Sequence, residues 1–356
     1  MKGRVVLKAE ELEGVLTEAD KSLLADIRSL YQKTMESYRI LNTAEGKPAV
    51  TDKETQQIID YYEKMGHLMK DFTQNEPNIK VYSFETPKNQ HGEVSRLIAK
   101  LRDRKTARPE FVYYTQRAYE LLFQLMLDVA GPVRKHHLIV KTPVTNPVQN
   151  YAVHKIPFVD DAIKDTVMCV LLRGALLPSM IISKEIQEYS STEYITPFAL
   201  FKIFRDDKKS RENMEYILDL DRSYFNPEML DGKHLVFADP MNATGGSLIT
   251  IMNYFKTIGI RPSSVSVLNV IAAVKGVFQI VRSIENVTCY TLWMDPYLND
   301  AAYILPGLGD AGDRLNGPDE PDHHRNMIQL IGDYGQNLVS LYRSQVRKIE
   351  ETILEP

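Results

Sequence analysis

Cysteine is scarce in this 356-residue sequence: only Cys169 and Cys289 occur, and both lie in apolar, strand-like segments. Two such thiols cannot form a disulfide framework and are typical of a reducing compartment, which predicts a cytoplasmic location. No run of about 18 apolar residues is present, so no membrane span is expected. The N-terminus also lacks the apolar region of a signal peptide. Basic and acidic residues nearly balance, 43 against 47, which argues against a bulk nucleic-acid or membrane binder.

The overall composition, 44% hydrophobic and 25% charged residues, is that of an ordinary globular protein. A chain of this length can bury a large core, as one large or two ordinary domains. Between residues 77 and 330, strand-like apolar runs alternate with helical segments, at 136–142, 165–172, 234–239, 265–273 and 287–295. A helical segment joins the third and fourth runs, and strand–helix–strand succession is typical of parallel sheets. We therefore predict an α/β fold with a mainly parallel sheet flanked by helices.

The two ends of the chain have helical periodicity. Residues 1–76 are predicted to form a helical hairpin extension, whose first helix runs from Thr17 to about Leu41. The second helix is expected to begin at a capping-box pattern formed by Thr51 and Glu54. Residues 331–356 are predicted to form an amphipathic C-terminal helix. The central domain is then 77–330, and the end segments are expected to serve packing or an interface.

The segment HLVFADPMNATGGSL, residues 234–248, predicts an anion site. A strand-like run ends at Asp239, a glycine-bearing turn follows, and a new helical segment begins. Backbone N–H groups at a helix start point outward and favour negative charge, and Gly245 and Gly246 let a phosphate approach them closely. Neither the dinucleotide-binding pattern nor the P-loop pattern fits the spacing. An acid just before a phosphate-binding turn is placed to contact a sugar attached to that phosphate, so a ribose 5-phosphate is the expected ligand. The alternative is that the segment is an ordinary strand-to-helix turn with no ligand.

The remaining polar candidates have ordinary structural interpretations. Adjacent histidines at 136–137 and 323–324 have no Cys or acid at ligand spacing, so no metal site is predicted there. His154 and His234 are interpreted as hydrogen-bonded structural residues. On pattern alone, the run 205–209 is a solvated turn, and Arg102 and Arg104 are surface charges on a helix.

Two motifs resemble those of one enzyme family. DPMNATGGS (239–247) is similar to the DPMLATGGS loop of uracil phosphoribosyltransferases, and YILPGLGDAGDR (303–314) is similar to their YIVPGLGDAGDR. Three further segments match in the same order: LIAKLRDRKT (97–106), CVLLRGALLPS (169–179) and IFRDD (203–207). The resemblance covers roughly residues 77 to 318, and a twelve-residue match with one conservative change is highly specific.

The resemblance implies a type I phosphoribosyltransferase core with a hood segment, 303–314, over the base. It implies transfer of the phosphoribosyl group of 5-phospho-α-D-ribose 1-diphosphate (PRPP) to uracil, with Mg²⁺ carried by PRPP and no protein metal site. The implied catalytic residues are Asp239, Arg173 and Arg205. The implied PRPP-binding residues are Arg173, Arg205, Asp239, Pro240, Met241, Asn242, Ala243, Thr244, Gly245, Gly246, Ser247 and Asp310. The implied uracil-binding residues are Tyr303, Ile304, Gly309, Asp310 and Ala311. A homodimer or higher homo-oligomer is also implied.

Several positions depart from the family pattern. Gly174 and Ala175 exchange order, Pro178 enters the predicted pyrophosphate loop, Asn242 replaces Leu, and Lys275 stands where the family usually has an acid. These departures leave two alternatives open. One is a phosphoribosyltransferase for a different or modified pyrimidine. The other is a non-catalytic sensor of PRPP or nucleotides, and the intact Arg173, Arg205 and Asp310 argue against it.

Overall fold

The computed structural model describes residues 3–43, 48–85, 88–130, 135–157, 159–206 and 209–317, and beyond these residues 329, 331–333, 335–336, 338–343 and 347. The strands are β1 (Arg4–Lys8), β2 (Ile79–Val81), β3 (Lys135–Lys141), β4 (Tyr151–Pro157), β5 (Thr166–Leu172), β6 (Phe198–Arg205), β7 (Glu215–Tyr224), β8 (His234–Ala238), β9 (Met241–Asn242), β10 (Ser264–Ala273), β11 (Val287–Asp295), β12 (Tyr297–Leu298) and β13 (Ile304–Leu305). The helices are α1 (Ala9–Glu13), α2 (Glu18–Thr43), α3 (Pro48–Thr73), α4 (Tyr82–Glu85), α5 (Lys88–Arg102), α6 (Arg108–Ala130), α7 (Asp160–Ile163), α8 (Leu176–Tyr189), α9 (Gly246–Thr257), α10 (Val274–Ser283) and α11 (Ala311–Asn316).

One large sheet forms the centre of the molecule. Its strand order is β1-β7-β6-β5-β8-β10-β11-β2, and β9 pairs with β10. The pairings from β6 to β2 are parallel, whereas β7 pairs antiparallel with both β6 and β1. The predicted mainly parallel sheet is therefore confirmed. Strand β10 is buried along nearly its whole length, as expected for a central parallel strand covered on both faces.

The strand expected at 136–142 exists as β3, but it lies outside the central sheet. It pairs antiparallel with β4 in a separate hairpin. A short connection is sufficient for antiparallel pairing, whereas a place in the parallel sheet requires a crossover helix. This hairpin exposes several apolar side chains, among them Ile139 (65% exposed) and Val153 (61%).

The N-terminal segment contains the predicted helices, α2 and α3, which pack against each other. The capping box predicted at Thr51 and Glu54 is wrong, because α3 already begins at Pro48 and both residues lie inside the helix. Proline is favoured in the first turn of a helix, where its missing N–H has no helical partner to lose. A capping box instead precedes α2, where the Asp20 N–H donates to Thr17 Oγ1 (3.1 Å) and the Thr17 N–H to Asp20 Oδ2 (2.9 Å).

Strand β1 was not predicted, and it joins the N-terminal segment to the edge of the central sheet through β7. The helical hairpin is attached through Arg282 of α10, whose guanidinium donates to Asp20 (3.1 Å) and to Glu76 (3.0 Å). Asp20 is fully buried. Burial acts to raise the pKa of Asp20, but hydrogen bonds from Arg282 and Thr17 outweigh it and hold the pKa below its usual value. The predicted domain boundary at residue 76 therefore lies within one continuous packing unit and stays a prediction.

The described residues of the predicted C-terminal helix, 331–333, 335–336, 338–343 and 347, are helical, whereas 334, 337, 344–346 and 348–356 lie outside the described residues. Within the described ranges, none of the helices is both long and apolar enough to cross a membrane. Cys169 and Cys289 are both buried and unpaired.

Candidate active site

The three predicted catalytic residues lie at the same edge of the sheet. Arg173 directly follows β5, Arg205 ends β6 and Asp239 directly follows β8, and these strands are adjacent and parallel. Ligand sites of open parallel sheets lie beyond the carboxyl ends of the strands. A cavity of about 490 Å³ lies there, lined by residues 239 and 241–248 on one side and by 302–310 on the other.

The loop 239–247, called the phosphate loop below, is held by close packing on both sides. The Tyr216 ring covers Gly246 so closely that an added Cβ would lie 2.3 Å from it. The Tyr216 hydroxyl is 2.5 Å from Thr244 Oγ1. On the other side, an added Cβ at Gly276 of α10 would lie 2.4 Å from the Ala243 carbonyl oxygen. Gly245 has φ +69°, a conformation that favours glycine. The N-terminus of α9 is therefore fixed and directed toward the cavity.

Asp239 lies on the floor of the cavity and is only partly exposed. Burial raises the pKa of this carboxyl to about 7. The Met241 N–H, 3.5 Å from Oδ1, acts in the opposite direction, and the charge of Asp310 raises the pKa further. The Asn269 side chain donates to the Asp239 carbonyl oxygen (2.7 Å) and fixes its backbone. Near pH 7 this group can therefore exist in either protonation state, so a bound cation or hydroxyl donor would decide its charge.

The hood, residues 303–314, is held by a buried ion pair. Arg102 of α5 donates to both carboxylate oxygens of Asp295, at 2.5 and 3.1 Å, and to the Gly307 carbonyl oxygen at 3.0 Å. The Gly307 N–H donates to Asp295 Oδ2 (3.1 Å). Asp295 is 1% exposed. Both backbone groups of Gly307 are thus tied to a charged pair behind the hood.

A second arginine fixes the far end of the hood. Arg314 donates to the carbonyl oxygens of Leu308 (2.8 Å) and Asp103 (2.9 Å) and also to that of Leu101. Its guanidinium lies 4.0 Å from the centre of the Phe111 ring. Asp310 caps α11 by accepting from the Asp313 N–H (2.9 Å). The hood is therefore anchored to the segment 101–103 at two separate points.

The two predicted catalytic arginines contact the hood differently. The Arg205 guanidinium lies over the Tyr303 ring, 4.7 Å from its centre, and donates to the Ala302 carbonyl oxygen at 3.3 Å. Arg173 turns toward α11, donating to the Gly317 carbonyl oxygen (2.6 Å) and to Asp313. Arg205 therefore lines the cavity, whereas the Arg173 guanidinium lies beside it.

Sequence comparison identifies the family. The family model described as "Uracil phosphoribosyltransferase" matches residues 88–317, well over half of the chain.

The chain belongs to the uracil phosphoribosyltransferase family.

Relatives in this family align over the same part of the chain. The uracil phosphoribosyltransferase of Dictyoglomus thermophilum is 29% identical over 227 residues, which cover 64% of this chain and 96% of that protein. That of Mycoplasmoides gallisepticum is 28% identical over 228 residues, with the same coverage. Among solved structures, the AQ2163 protein of Aquifex aeolicus is 23% identical with a TM-score of 0.46, covering 64% of this chain and 95% of that one.

Most site residues implied by the family motifs come together in the cavity. The exceptions are Arg173, Pro240 and Ala311, which do not line it. The residues that do are Arg205, Asp239, Met241, Asn242, Ala243, Thr244, Gly245, Gly246, Ser247, Tyr303, Ile304, Gly309 and Asp310. Their individual ligands stay predictions.

The motifs did not reveal the residues that hold these loops. Asp295 ends an apolar strand-like run. An acid at the end of a buried strand was the one sequence feature that could have indicated a role for this residue. Pattern alone predicts that Arg102 is a surface charge, whereas the family resemblance implies that its segment approaches the active site; Arg102 pairs with Asp295 behind the hood. Tyr216 and Gly276 carried no sequence signal, because their contacts with the phosphate loop depend on the tertiary fold. His234 is hydrogen-bonded to Ser266 (2.8 Å), in agreement with a structural role.

Proposed function

We propose that the chain transfers the 5-phosphoribosyl group of PRPP to uracil, giving UMP and pyrophosphate. The observation that supports this most directly is a single cavity of about 490 Å³ whose opposite walls are the phosphate loop and the hood. A phosphate-binding wall facing a base-binding wall suits a reaction that joins a sugar phosphate to a base. Holding the two reactants in this geometry supplies much of the rate acceleration of such transfers.

In this proposal, the N–H groups at the start of α9, with Thr244 and Ser247, bind the 5-phosphate. Asp239 binds ribose hydroxyls, and its carboxylate stabilises the positive charge that develops at C1′ as the bond to pyrophosphate breaks. Arg173 and Arg205 stabilise the departing pyrophosphate. Tyr303 and the backbone of Ile304, Gly309 and Ala311 hold the edge of uracil. Its ring nitrogen forms the new bond to C1′ and loses its proton to the departing pyrophosphate or to solvent.

Mg²⁺ is proposed to enter with PRPP. Hard cations prefer oxygen ligands, and the two carboxyls that influence each other across the cavity, Asp239 and Asp310, fit such an ion. Among the described residues there is no cluster of three or more His, Cys, Asp or Glu suited to a metal. Bound there, Mg²⁺ would neutralise charge on the diphosphate.

The test is UMP formation by the purified chain with uracil, PRPP and Mg²⁺, followed by chromatography. Two glycine variants give a matched pair. Gly246→Ala places a methyl group against the Tyr216 ring, so we expect the KM for PRPP to rise about 10- to 100-fold. Gly66→Ala, in α3, meets open space and should leave turnover unchanged. Absence of UMP from the wild-type chain would exclude the proposal.

One observation favours a different or modified pyrimidine as the second candidate substrate. Asn242 is only 5% exposed, lines the cavity, and neither polar atom of its side chain has a hydrogen-bond partner in the described part of the chain. A buried amide without partners destabilises a protein, and a polar group on the substrate could satisfy it. A panel of pyrimidines in the same assay distinguishes the two candidates.

Replacing Asn242 by the family's leucine tests the state of this amide. Because Asn242→Leu removes two unsatisfied polar atoms, we expect the free energy of unfolding without substrates to rise by about 1–2 kcal/mol. Urea denaturation measures the change. A decrease in stability would mean that Asn242 has partners in solution. The pyrimidine panel on the same variant shows whether base preference also changes.

We propose that the β3–β4 hairpin contributes to a homodimer. Its exposed apolar residues lie on both faces: Ile139 pairs with Val153 on one face, and Leu138 and Val140 lie on the other, which is unusual for a monomer surface. The double variant Ile139→Lys/Val153→Lys should therefore lower the mass measured by light scattering to that of a monomer. Ile195→Lys, at an exposed apolar position outside the hairpin, is the matched control. Equal masses for wild type and double variant would contradict this assignment.

A further inference from the structure

A second cavity, of about 280 Å³, lies outside the substrate cavity. Its walls come from the N-terminal segment, from the start of α10 and from the segment that leads into the hood. The charged residues that line it are Glu13, Lys21, Arg28, Arg211 and Lys275, and Tyr297 forms part of its apolar wall.

The charges around this cavity favour an anion. Among the described residues that line the cavity, four side chains are cationic and one is a carboxylate, which gives a net charge of +3. Lys275 pairs with Glu13, and Arg211 donates to the Leu298 carbonyl oxygen (2.8 Å). Lys21 pairs with Glu18 (2.7 Å), but that pair is exposed and weak. Arg28 has no ion pair within the described ranges, so it is available to a ligand.

The start of α10 adds backbone donors to these charges. Its N-cap, Ala273, lines the cavity and has no side chain that caps the helix. The first N–H groups of a helix lack partners within the helix and attract anions. The cavity thus combines a helix N-terminus with a half-open cleft and a cluster of cations, of which Lys21 and Arg28 are exposed.

We propose that this second cavity binds a phosphate-bearing small molecule. Small-molecule sites are about 300–1,000 Å³, so this cavity, which is open on one side, suits a phosphate chain whose organic group extends toward solvent. Phosphate is the anion that combined lysine, arginine and helix N-termini bind best. Glu13, Lys21 and Arg28 precede residue 88, so the site is formed jointly by the family domain and the N-terminal segment.

A ligand there would touch elements that form both walls of the substrate cavity. Gly276, next to Lys275, packs against the Ala243 carbonyl in the phosphate loop. On the other side, Tyr297 and Leu298 pair with Leu305 and Ile304 of the hood. Occupancy of the second cavity is therefore expected to change the KM values for substrates. This consequence rests on the proposed function, but ligand binding to the second cavity can be tested without it.

The test is isothermal titration calorimetry of the full chain at low salt, with tripolyphosphate and ATP as probes. Arg28→Gln/Lys275→Gln should weaken binding at least about tenfold, because charged hydrogen bonds are lost. Arg39→Gln, an exposed position on the same helix and outside the cavity, is the matched control. Gly246→Ala alters the phosphate loop, so a probe that binds in the substrate cavity instead should bind this variant more weakly.

Binding of both probes, weakened in the double variant and kept in Gly246→Ala, would support the site and identify the phosphate chain as the recognised group. Binding of ATP alone, with the same dependence on Arg28 and Lys275, would support it and add recognition of the nucleoside. No binding of either probe, or equal binding by wild type and double variant, would overturn it. These outcomes do not depend on turnover, so they remain decisive even if uracil is not the substrate.

Discussion

Replacing Asp239 by Asn is expected to lower kcat/KM for UMP formation by about 100- to 1000-fold, the range for loss of one group that stabilises charge in a transition state. The replacement keeps the size of the side chain and the backbone bonds from Asn269 and to Leu268, so the cavity should keep its shape. Steady-state kinetics with uracil and PRPP measure the loss. Asp221→Asn, at an exposed position on β7, is the control and should keep full activity.

Asp239→Asn should lower activity but raise stability, and the gain in stability should depend on pH. The unfolded chain loses the Asp239 proton near pH 3.8, whereas burial raises the folded pKa to about 7. Between these values the unfolded state is already ionised and the folded state is not, so the free energy of unfolding falls as pH rises. Full linkage over three pKa units would be about 4 kcal/mol, and partial exposure to water in the cavity reduces our expectation to about 1–2 kcal/mol.

Urea denaturation from pH 4 to 8.5 measures this dependence. Asp239→Asn has no proton to lose, so it should match the wild type near pH 4 and become more stable above pH 7. A constant difference across the range would mean that Asp239 ionises normally in the folded protein. Combined with intact kinetics in the variant, that result would remove Asp239 from the mechanism.

The parts of the fold that the sequence predicts are those in which local pattern and tertiary environment agree. Strands β8, β10 and β11 are buried on both faces, so continuous apolar runs identified them. Strands β6 and β7 were not predicted, because buried and exposed residues alternate along them. Strand β1 is a short edge strand whose partner lies more than 200 residues later, as Val6 pairs with Ile217.

The same distinction applies to the site. The phosphate loop and the hood are contiguous motifs, so their residues could be identified before the fold was known. Their supports are pairs of distant residues: Arg102 and Asp295 are 193 positions apart, and Tyr216 and Thr244 are 28 apart. Charge and aromatic character alone do not predict such pairs, since each partner taken singly is an ordinary surface or core residue.

Arg102→Leu should lower the free energy of unfolding by about 3–5 kcal/mol, because it leaves the carboxylate of Asp295 buried without its partner. It should also raise the KM for uracil, since the Gly307 carbonyl loses its donor and the hood loses one of its two anchors. Arg104→Leu, at an exposed position in the same segment, should change neither quantity.

A double variant separates stability from hood position. Replacing both members of a buried ion pair by apolar residues is often neutral, so Arg102→Leu/Asp295→Leu should recover much of the lost stability. The KM for uracil should nevertheless stay high, because both backbone groups of Gly307 still lack their partners. If KM recovered together with stability, the ion pair would contribute to folding alone, and the shape of the hood would be set by Arg314 and its bonds to residues 101–103.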